Sequence, residues 1–143
     1  MGGNWYFVTF RSARGVISDT ARDIIKESVT ERHGRHYALA TAVVMPDHAH
    51  LLIRPLEKGE GRYFSLAEIL KSLKGISARK INVCLSTTGT VWQKESFDRI
   101  VRDEREWREK YEYIRGNAVR AGLAEKPEDY PWLLEGGNFI NRP

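Results

Sequence analysis

The stretch VVMPDHAHLLI, residues 43–53, places His48 and His50 one residue apart inside an apolar run. Successive side chains of a β-strand point to opposite faces, so in a strand both imidazoles face one way and Ala49 faces the other. Two imidazoles on one face are an arrangement that divalent metals use. Two solvated surface histidines would give the same pattern, so the pair needs support from the rest of the chain.

The bulk composition favours one soluble domain with a mild preference for a polyanionic partner. A chain of 143 residues suits a single domain over 1–143, with a C-terminal tail from about residue 123. No apolar run is long enough to cross a bilayer, and MGGNWYFVTF lacks the features of a signal peptide. The single cysteine, Cys84, excludes an internal disulfide, fits a cytoplasmic protein and is expected to be a buried packing thiol. A net charge of +4 leans towards nucleic acid without requiring it.

The apolar periodicity predicts the order β-α-β-β-α-β-α followed by the tail. Strands are predicted at 4–11, 36–45 and 48–55, with one or two more within 91–102. Helices are predicted from Ser18 to Gly34, from the capping box SLAE at residues 65–68, and from Asp103 to about Gly122. This order predicts an α+β fold of the ferredoxin-like, split βαβ kind, an antiparallel sheet with helices packed on one face. Both histidines then lie on an interior strand.

The last helix carries a tyrosine that does not belong to its apolar stripe. Trp107, Tyr111, Ile114 and Ala118 fall within roughly 60° of one another at about 100° per residue, and Tyr113 lies roughly 130° away. Asn117, four residues after Tyr113, would stand one turn further along the same side. A surface tyrosine without a function is the common alternative.

Together the two features predict one site. His48, His50 and the side-chain oxygen of Asn117 are the candidate ligands of a hard divalent cation, Mg²⁺ or Mn²⁺, with positions left open for substrate. Such a cation polarises a phosphate oxygen, and Tyr113 is the candidate covalent nucleophile.

These residues stand in motifs that resemble the HUH (histidine–hydrophobic–histidine) single-tyrosine transposases, which include the IS200-like insertion-sequence transposases and the REP-associated tyrosine transposases. VVMPDHAHLLI resembles the HUH strand, and YIRGNAVRAGL, residues 113–123, resembles the nucleophile helix with its metal-ligating residue four positions on. VWQKESFDRIVRDEREW and PEDYPW resemble the flanking segments. The chain departs from the family at Ala118, where a proline is usual, and at Arg115–Gly116, where a histidine is frequent.

The resemblance implies a DNA transposase and single-strand endonuclease. It would bind single-stranded DNA near a hairpin and cleave one strand, with Tyr113 joined to the 5′ phosphate, and a second 3′ hydroxyl would rejoin the strands. It also implies a homodimer as the working form. Nine basic residues are candidates for phosphate contacts: Arg11, Arg14, Lys71, Lys74, Lys94, Arg99, Arg102, Arg115 and Arg120.

Three alternatives come from other classes of protein. The first is a domesticated, non-catalytic DNA-hairpin binder that acts as a regulator, which would not need all four candidate site residues. The second is an unrelated metal hydrolase, which needs a further carboxylate; Asp47, one position before His48, is expected on the opposite strand face. The third is a structural protein with surface histidines, which the two matched motifs disfavour.

Overall fold

The computed structural model describes residues 3–136 and builds them around one antiparallel sheet. The elements are β1 (Trp5–Ser12), α1 (Asp19–Arg32), β2 (Tyr37–Val44), β3 (His48–Pro55), the small hairpin of β4 (Glu57–Gly59) and β5 (Arg62–Tyr63), α2 (Leu66–Leu85), β6 (Trp92–Val101), α3 (Glu104–Arg115), the single turn α4 (Asn117–Arg120), a 3-10 turn (Pro127–Asp129) and β7 (Leu133–Glu135). The segment predicted to give one or two strands within 91–102 is the single strand β6.

The sheet has the strand order β6-β1-β3-β2-β7, and neighbouring strands in it run antiparallel. The first four of these strands have the order of the split βαβ fold, so the predicted α+β class and antiparallel sheet are confirmed. The strand β3 lies at the centre, with β1 on one side and β2 on the other. The prediction that the histidines lie on an interior strand is therefore confirmed.

The first two helices begin where the sequence places their caps. The Ser18 hydroxyl accepts a hydrogen bond from the Ala21 N–H at the start of α1. At α2, the Ser65 hydroxyl accepts from the Glu68 N–H while the Glu68 carboxylate accepts from the Ser65 N–H, which is the complete capping box. These side chains satisfy N–H groups that a helix start otherwise leaves without partners.

Helices cover both faces of the sheet, whereas one face was predicted. The core beneath α1 and α2 contains Val8, Leu51 and Ile53. The opposite face carries Phe7 and Leu52, which pack with buried residues of α3 and α4. Because both faces are covered, every residue of β2 is buried, which explains its continuous apolar sequence YALATAVV. Helical periodicity identifies an apolar stripe but not the face of the sheet on which that stripe packs.

The final helix is shorter than predicted, because it is interrupted at Gly116. The helix α3 ends at Arg115, and Asn117 begins the separate turn α4.

The segment after residue 123 contributes β7, which pairs with β2 at the sheet edge, and the Tyr130 hydroxyl donates to the Val44 carbonyl at 2.6 Å. The expectation for the lone thiol is wrong: Cys84 is exposed. Within residues 3–136, no helix is both long and apolar enough to span a membrane.

Candidate metal and nucleophile site

The two histidines of β3 lie side by side on the sheet face that α3 covers. Their ring centroids are 4.7 Å apart, and the ring of Phe7 stacks on that of His50 at 5.2 Å. His50 is buried, whereas His48 is half-buried at the end of the strand. The alternation of β3 thus gives the pair a common direction, as the sequence predicts.

The Nδ1 atom of each imidazole is hydrogen-bonded to a different partner. For His50, the partner is the Thr9 hydroxyl at 2.7 Å, and Thr9 faces His50 directly across the β1–β3 pairing. For His48, the partner is the Asp47 carboxylate at 2.7 Å. Since Nδ1 is used in both rings, Nε2 is the nitrogen left to bind a metal.

The contact with Asp47 corrects the expected position of that residue. Strand alternation would turn Asp47 away from the histidines, but β3 begins only at His48. Asp47 belongs to the turn before the strand, where alternation does not apply, and its carboxylate reaches back to His48. It acts on the ring and is not itself one of the candidate ligands.

The environment of His50 keeps its imidazole neutral. Burial, followed by the charges of His48, Arg11 and Arg120, lowers the pKa of His50 from 6.5 to about 3. A neutral imidazole has a lone pair for a metal, and a protonated one has none. The cations that disfavour a charge on His50 also make this part of the surface attractive to a phosphate.

Tyr113 projects beside the histidine pair and is 45% exposed. Its ring centroid lies 5.6 Å from that of His50 and 6.0 Å from that of Phe7. The Arg120 guanidinium lies over the Tyr113 ring at 4.4 Å and donates to the Tyr113 carbonyl. The helical periodicity correctly places Tyr113 off the apolar stripe.

The neighbouring tyrosine has a packing environment instead. Tyr111 stacks on Trp107 with ring centroids 5.2 Å apart, and its hydroxyl donates to the Glu135 carboxylate at 3.0 Å. Both aromatic residues pack against the core of the α3 face, together with the fully buried Ile114.

Asn117 begins α4 and carries a buried side-chain oxygen without a partner. Its Oδ1 atom has no hydrogen-bond partner among the described residues, although its neighbour Ala118 is packed in the core on the histidine face. A buried acceptor without a donor is costly, so it indicates a missing partner. The break at Gly116 removes the continuous-helix argument that placed Asn117 directly above Tyr113.

The donor atoms fit a hard divalent cation. Two imidazole nitrogens and an unpartnered amide oxygen match the mixed nitrogen and oxygen sites of Mn²⁺ and, less closely, of Mg²⁺. Across residues 3–136, no group of three or more His, Cys, Asp and Glu side chains could hold a metal. A third ligand from the chain would therefore be an uncharged one, as Asn117 is.

Five of the nine predicted phosphate-contact residues are engaged within the chain, including Arg120, whose bond to the Tyr113 carbonyl is described above. Arg14 makes five hydrogen bonds, to Asn82 and to the loop formed by residues 87–90. Lys74 donates to carbonyls and a hydroxyl of β6, Arg99 pairs with Glu106, and Arg115 pairs with carboxylates that include Glu135. Arg14 and Lys74 therefore stabilise the fold, which the sequence does not indicate.

Arg120 and the four remaining cations lie in different parts of the molecule. Arg11 is paired with His48 in the β1–β3 register and shares its face, and Arg120 lies over Tyr113. Lys71 lies on α2, on the opposite side of the sheet from the histidines. Lys94 belongs to β6, and Arg102 directly follows that strand. The structure thus brings only Arg11 and Arg120 of these five to the histidines and Tyr113.

Two residues of the site, Thr9 and Phe7, were not predicted from the sequence. Thr9 is 41 positions before His50, and only the register of β1 against β3 brings its hydroxyl to that ring. Phe7 follows from the same alternation, two residues before Thr9 on the same face. Both residues could be identified only from the register of β1 against β3, and the alternation within one β-strand does not give that register.

Comparison with known proteins agrees with this fold. The chain is 25% identical over 134 residues to the REP-associated tyrosine transposase of Escherichia coli (strain K12), covering 92% of this chain and 75% of that protein. The solved structure of a REP-associated tyrosine transposase bound to a REP hairpin has the same fold, with a TM-score of 0.73, 19% identity and coverage of 92% of this chain and 76% of that one. The family model described as "Transposase IS200 like" matches residues 7–117, most of the chain. The chain therefore belongs to the IS200-like transposase family.

Proposed function

We propose that this transposase is a metal-dependent endonuclease that cleaves and rejoins single-stranded DNA through a covalent link between Tyr113 and a 5′ phosphate. The observation that carries the proposal is that the two imidazoles and the tyrosine side chain lie together on one face of the sheet. Two imidazoles with their Nδ1 atoms occupied lie beside an exposed tyrosine, whose ring centroid is 5.6 Å from that of His50. A structural role would not require this combination.

His48, His50 and Asn117 are the residues that would hold Mg²⁺ or Mn²⁺. For Nε2 to bind a metal, Nδ1 must carry the proton, so His50 donates to the Thr9 hydroxyl and His48 donates to the Asp47 carboxylate. When bound, the cation polarises the scissile phosphate and neutralises charge that develops during attack.

Tyr113 is the proposed nucleophile. Its phenolic oxygen attacks the phosphorus, the bond from phosphorus to the 3′ oxygen breaks, and that oxygen leaves as a hydroxyl after taking up a proton. The phenolic proton passes to water as the new bond forms, since Tyr113 is exposed. Arg120, over the ring of Tyr113, holds the tyrosine in place and adds positive charge next to the phosphate. Rejoining is the same displacement in reverse, with a second 3′ hydroxyl.

The proposed substrate is single-stranded DNA that carries a hairpin. The similar structure described above is bound to a REP hairpin, which supports a hairpin partner for this chain as well. The proposal includes a homodimer as the active form, a single domain over 1–143, and a cytoplasmic location. Arg11 remains a candidate for a phosphate contact beside the histidines, and Lys94, Arg102 and Lys71 remain candidates for contacts with the phosphate backbone outside the site.

The test is a denaturing gel of labelled single-stranded hairpin DNA incubated with manganese and each variant. We expect the wild type to give a covalent protein–DNA band and Tyr113→Phe to give none, because that change removes only the attacking oxygen. The matched control is Tyr111→Phe, which also removes one hydroxyl from α3 and should keep the band.

Two results would contradict the proposal. A band that persists in Tyr113→Phe and disappears in Tyr111→Phe would mean that the other tyrosine is the nucleophile. Hairpin binding by the wild type without any band, for the hairpins that flank the gene, would favour the non-catalytic regulator instead.

A further inference from the structure

Phe97 is an exposed aromatic residue in the middle of β6, on the same sheet face as the histidine pair. It is 56% exposed, although phenylalanine usually lies in a core. Strand register explains its place: Phe97 faces Thr9 across β1, and Thr9 faces His50 across β3. The three residues form one row across neighbouring strands, so the Cα atoms of Phe97 and His50 are separated by about two strand spacings, roughly 10 Å.

The ring of Phe97 packs against Phe7, which lies between it and the histidine pair. Its centroid is 6.4 Å from that of Phe7, with the rings edge to face at 72°. Phe7 is in turn stacked on His50 and edge-on to Tyr113. Phe97 is thus the outermost member of a ring cluster whose inner members lie at the proposed site, and more than half of its surface is free.

The surroundings suit a nucleic acid strand. Arg11 lies two positions along β1 from Thr9 on the same face and faces His48 across β3, and the Arg120 guanidinium lies over the Tyr113 ring. Positive charge near the histidines attracts the phosphate backbone, while an exposed ring one row away can stack on a base of any sequence. Base stacking on an aromatic ring beside a basic surface is the usual way in which proteins bind unpaired nucleotides.

We propose that Phe97 is a stacking platform for one unpaired base close to the scissile phosphate of the bound single strand. The inference rests on the proposed function, because it places that strand at Tyr113. Stacking there holds the strand across the β6 end of the site and favours unpaired over duplex DNA, since a base inside a duplex is covered on both faces by its stacked neighbours.

The experiment uses single-stranded oligonucleotides from the DNA that flanks the gene, each with a hairpin and roughly ten unpaired nucleotides on either side. Binding is measured in a Tyr113→Phe background, so that cleavage does not interfere. We expect Phe97→Ala to weaken binding by between about fivefold and a hundredfold, the range typical for loss of one stacked base. Phe97→Trp should retain affinity, and Phe97→Leu, which is apolar but not aromatic, should behave like Phe97→Ala.

A scan with the fluorescent base 2-aminopurine locates the stacked nucleotide. One position should be quenched by the Phe97 protein and not by Phe97→Ala, and an abasic nucleotide there should remove the difference in affinity between the two. Tyr63→Ala is the control, because Tyr63 is an exposed aromatic residue on the separate hairpin β4–β5 and should leave both signals unchanged.

The outcomes distinguish the inference from the function on which it rests. If the wild type forms the covalent adduct but Phe97→Ala binds and quenches like its parent, the platform is overturned and the function stands. If Phe97→Ala changes only the sedimentation of the protein, Phe97 belongs to a protein contact and the platform is again overturned. If the wild type binds none of these single strands, both the proposed function and the platform are overturned.

Discussion

Thr9 and Asp47 determine which nitrogen of each histidine faces the proposed metal. Both accept a hydrogen bond from the Nδ1–H group when Nε2 is the ligand, which fixes the tautomer and limits rotation of the ring. The Thr9 hydroxyl is buried beside His50, whereas the Asp47 carboxylate is exposed beside His48. Solvent can replace the Asp47 contact more easily than the Thr9 contact, so Thr9 is the more sensitive position.

We expect Thr9→Val to weaken Mn²⁺ binding by about 10- to 100-fold, the usual effect of removing such a partner. Valine has the shape of threonine, so the fold should persist. Titration of Mn²⁺ followed by electron paramagnetic resonance measures the affinity without any DNA. The matched control is Thr41→Val, which loses a hydrogen bond from a buried threonine of β2 to the Leu134 carbonyl. It should cost roughly 1 kcal/mol of stability and leave Mn²⁺ affinity unchanged; equal losses of affinity in both variants would contradict the role of Thr9.

At the scale of the elements, the glycine between α3 and α4 leaves room for Arg120 to lie against Tyr113, the proposed nucleophile. A Cβ atom at Gly116 would lie 2.8 Å from an Nη atom of Arg120 and 3.3 Å from the Glu112 carbonyl oxygen. The absence of a side chain at Gly116 therefore lets the guanidinium pass over to Tyr113. The φ of Gly116 is −88°, so its value to the chain is space and not a left-handed backbone.

We expect Gly116→Ala to fold but to form the covalent adduct about two- to fivefold more slowly, because the displaced guanidinium loses its cation–π contact with Tyr113. Adduct formation followed over time on a denaturing gel measures the rate. Gly75→Ala in α2 is the control, since a Cβ there meets only a 3.5 Å contact with Arg79. It should add roughly 0.5–1 kcal/mol of stability with no change in rate. An unchanged rate of adduct formation in Gly116→Ala would contradict the proposal that Arg120 positions Tyr113.

The start of α2 gives a pH-dependent contribution to stability. Hydrogen bonds from Lys58 and from the Ser65 backbone lower the pKa of Glu68 from 4.5 to about 2. As the pH falls below 4.5, the unfolded chain takes up this proton first, so the contribution is present at neutral pH and is lost on approach to pH 2. We expect Glu68→Gln, which keeps the capping acceptor, to be less stable than wild type at neutral pH and equally stable near that pKa. Urea unfolding at both pH values measures this difference; a gap that persists or widens in acid would contradict it.

At the scale of the whole molecule, the positive charge is divided between holding the fold together and meeting a ligand. Arg14 fastens the α2–β6 loop, and Lys74 fastens α2 to β6. Arg11 shares the face of His48, and no hydrogen bond or ion pair of its side chain occurs among the described residues. Some of the 23 lysines and arginines are therefore occupied within the fold, and the net charge of +4 does not measure the positive charge that is free to meet a polyanion.

Salt dependence separates these two kinds of arginine. For single strands, each phosphate contact contributes about −0.7 to the slope of log K against log salt concentration. We expect Arg11→Ala to make the slope shallower by about that amount and to leave thermal stability nearly unchanged. Arg14→Ala should leave the slope unchanged and cost roughly 1–3 kcal/mol in unfolding free energy. Hairpin binding titrations over several salt concentrations, together with melting curves, check both expectations. A shallower slope for Arg14→Ala would show that Arg14 contacts a phosphate and would contradict its purely structural role.

Local patterns predicted the four long strands, the three main helices, the central place of β3 and the exposure of Tyr113, because alternation and helical periodicity reflect burial directly. They did not predict the short strands β4, β5 and β7. They did not predict the Thr9–His50 contact, which depends on pairing between strands far apart in the chain. They also misplaced Asp47, since a turn lacks the alternation on which the argument depended. The bonds of Arg14 were hidden for a third reason: nothing in a sequence shows whether a guanidinium is already occupied.

The central place of β3 also has a consequence for amide hydrogen exchange. Hydrogen bonds to β1 and β2 flank the strand on both edges, so its amides should exchange only when most of the sheet unfolds. The helix α3 is held to the sheet by side-chain packing and not by the hydrogen bonds of a strand ladder, so we expect its amides to exchange through smaller, local openings. Tyr113 would then belong to a less protected cooperative unit than the two histidines. In the proposed reaction, a strand end joined to Tyr113 would move relative to His48 and His50, which stay in place on the sheet.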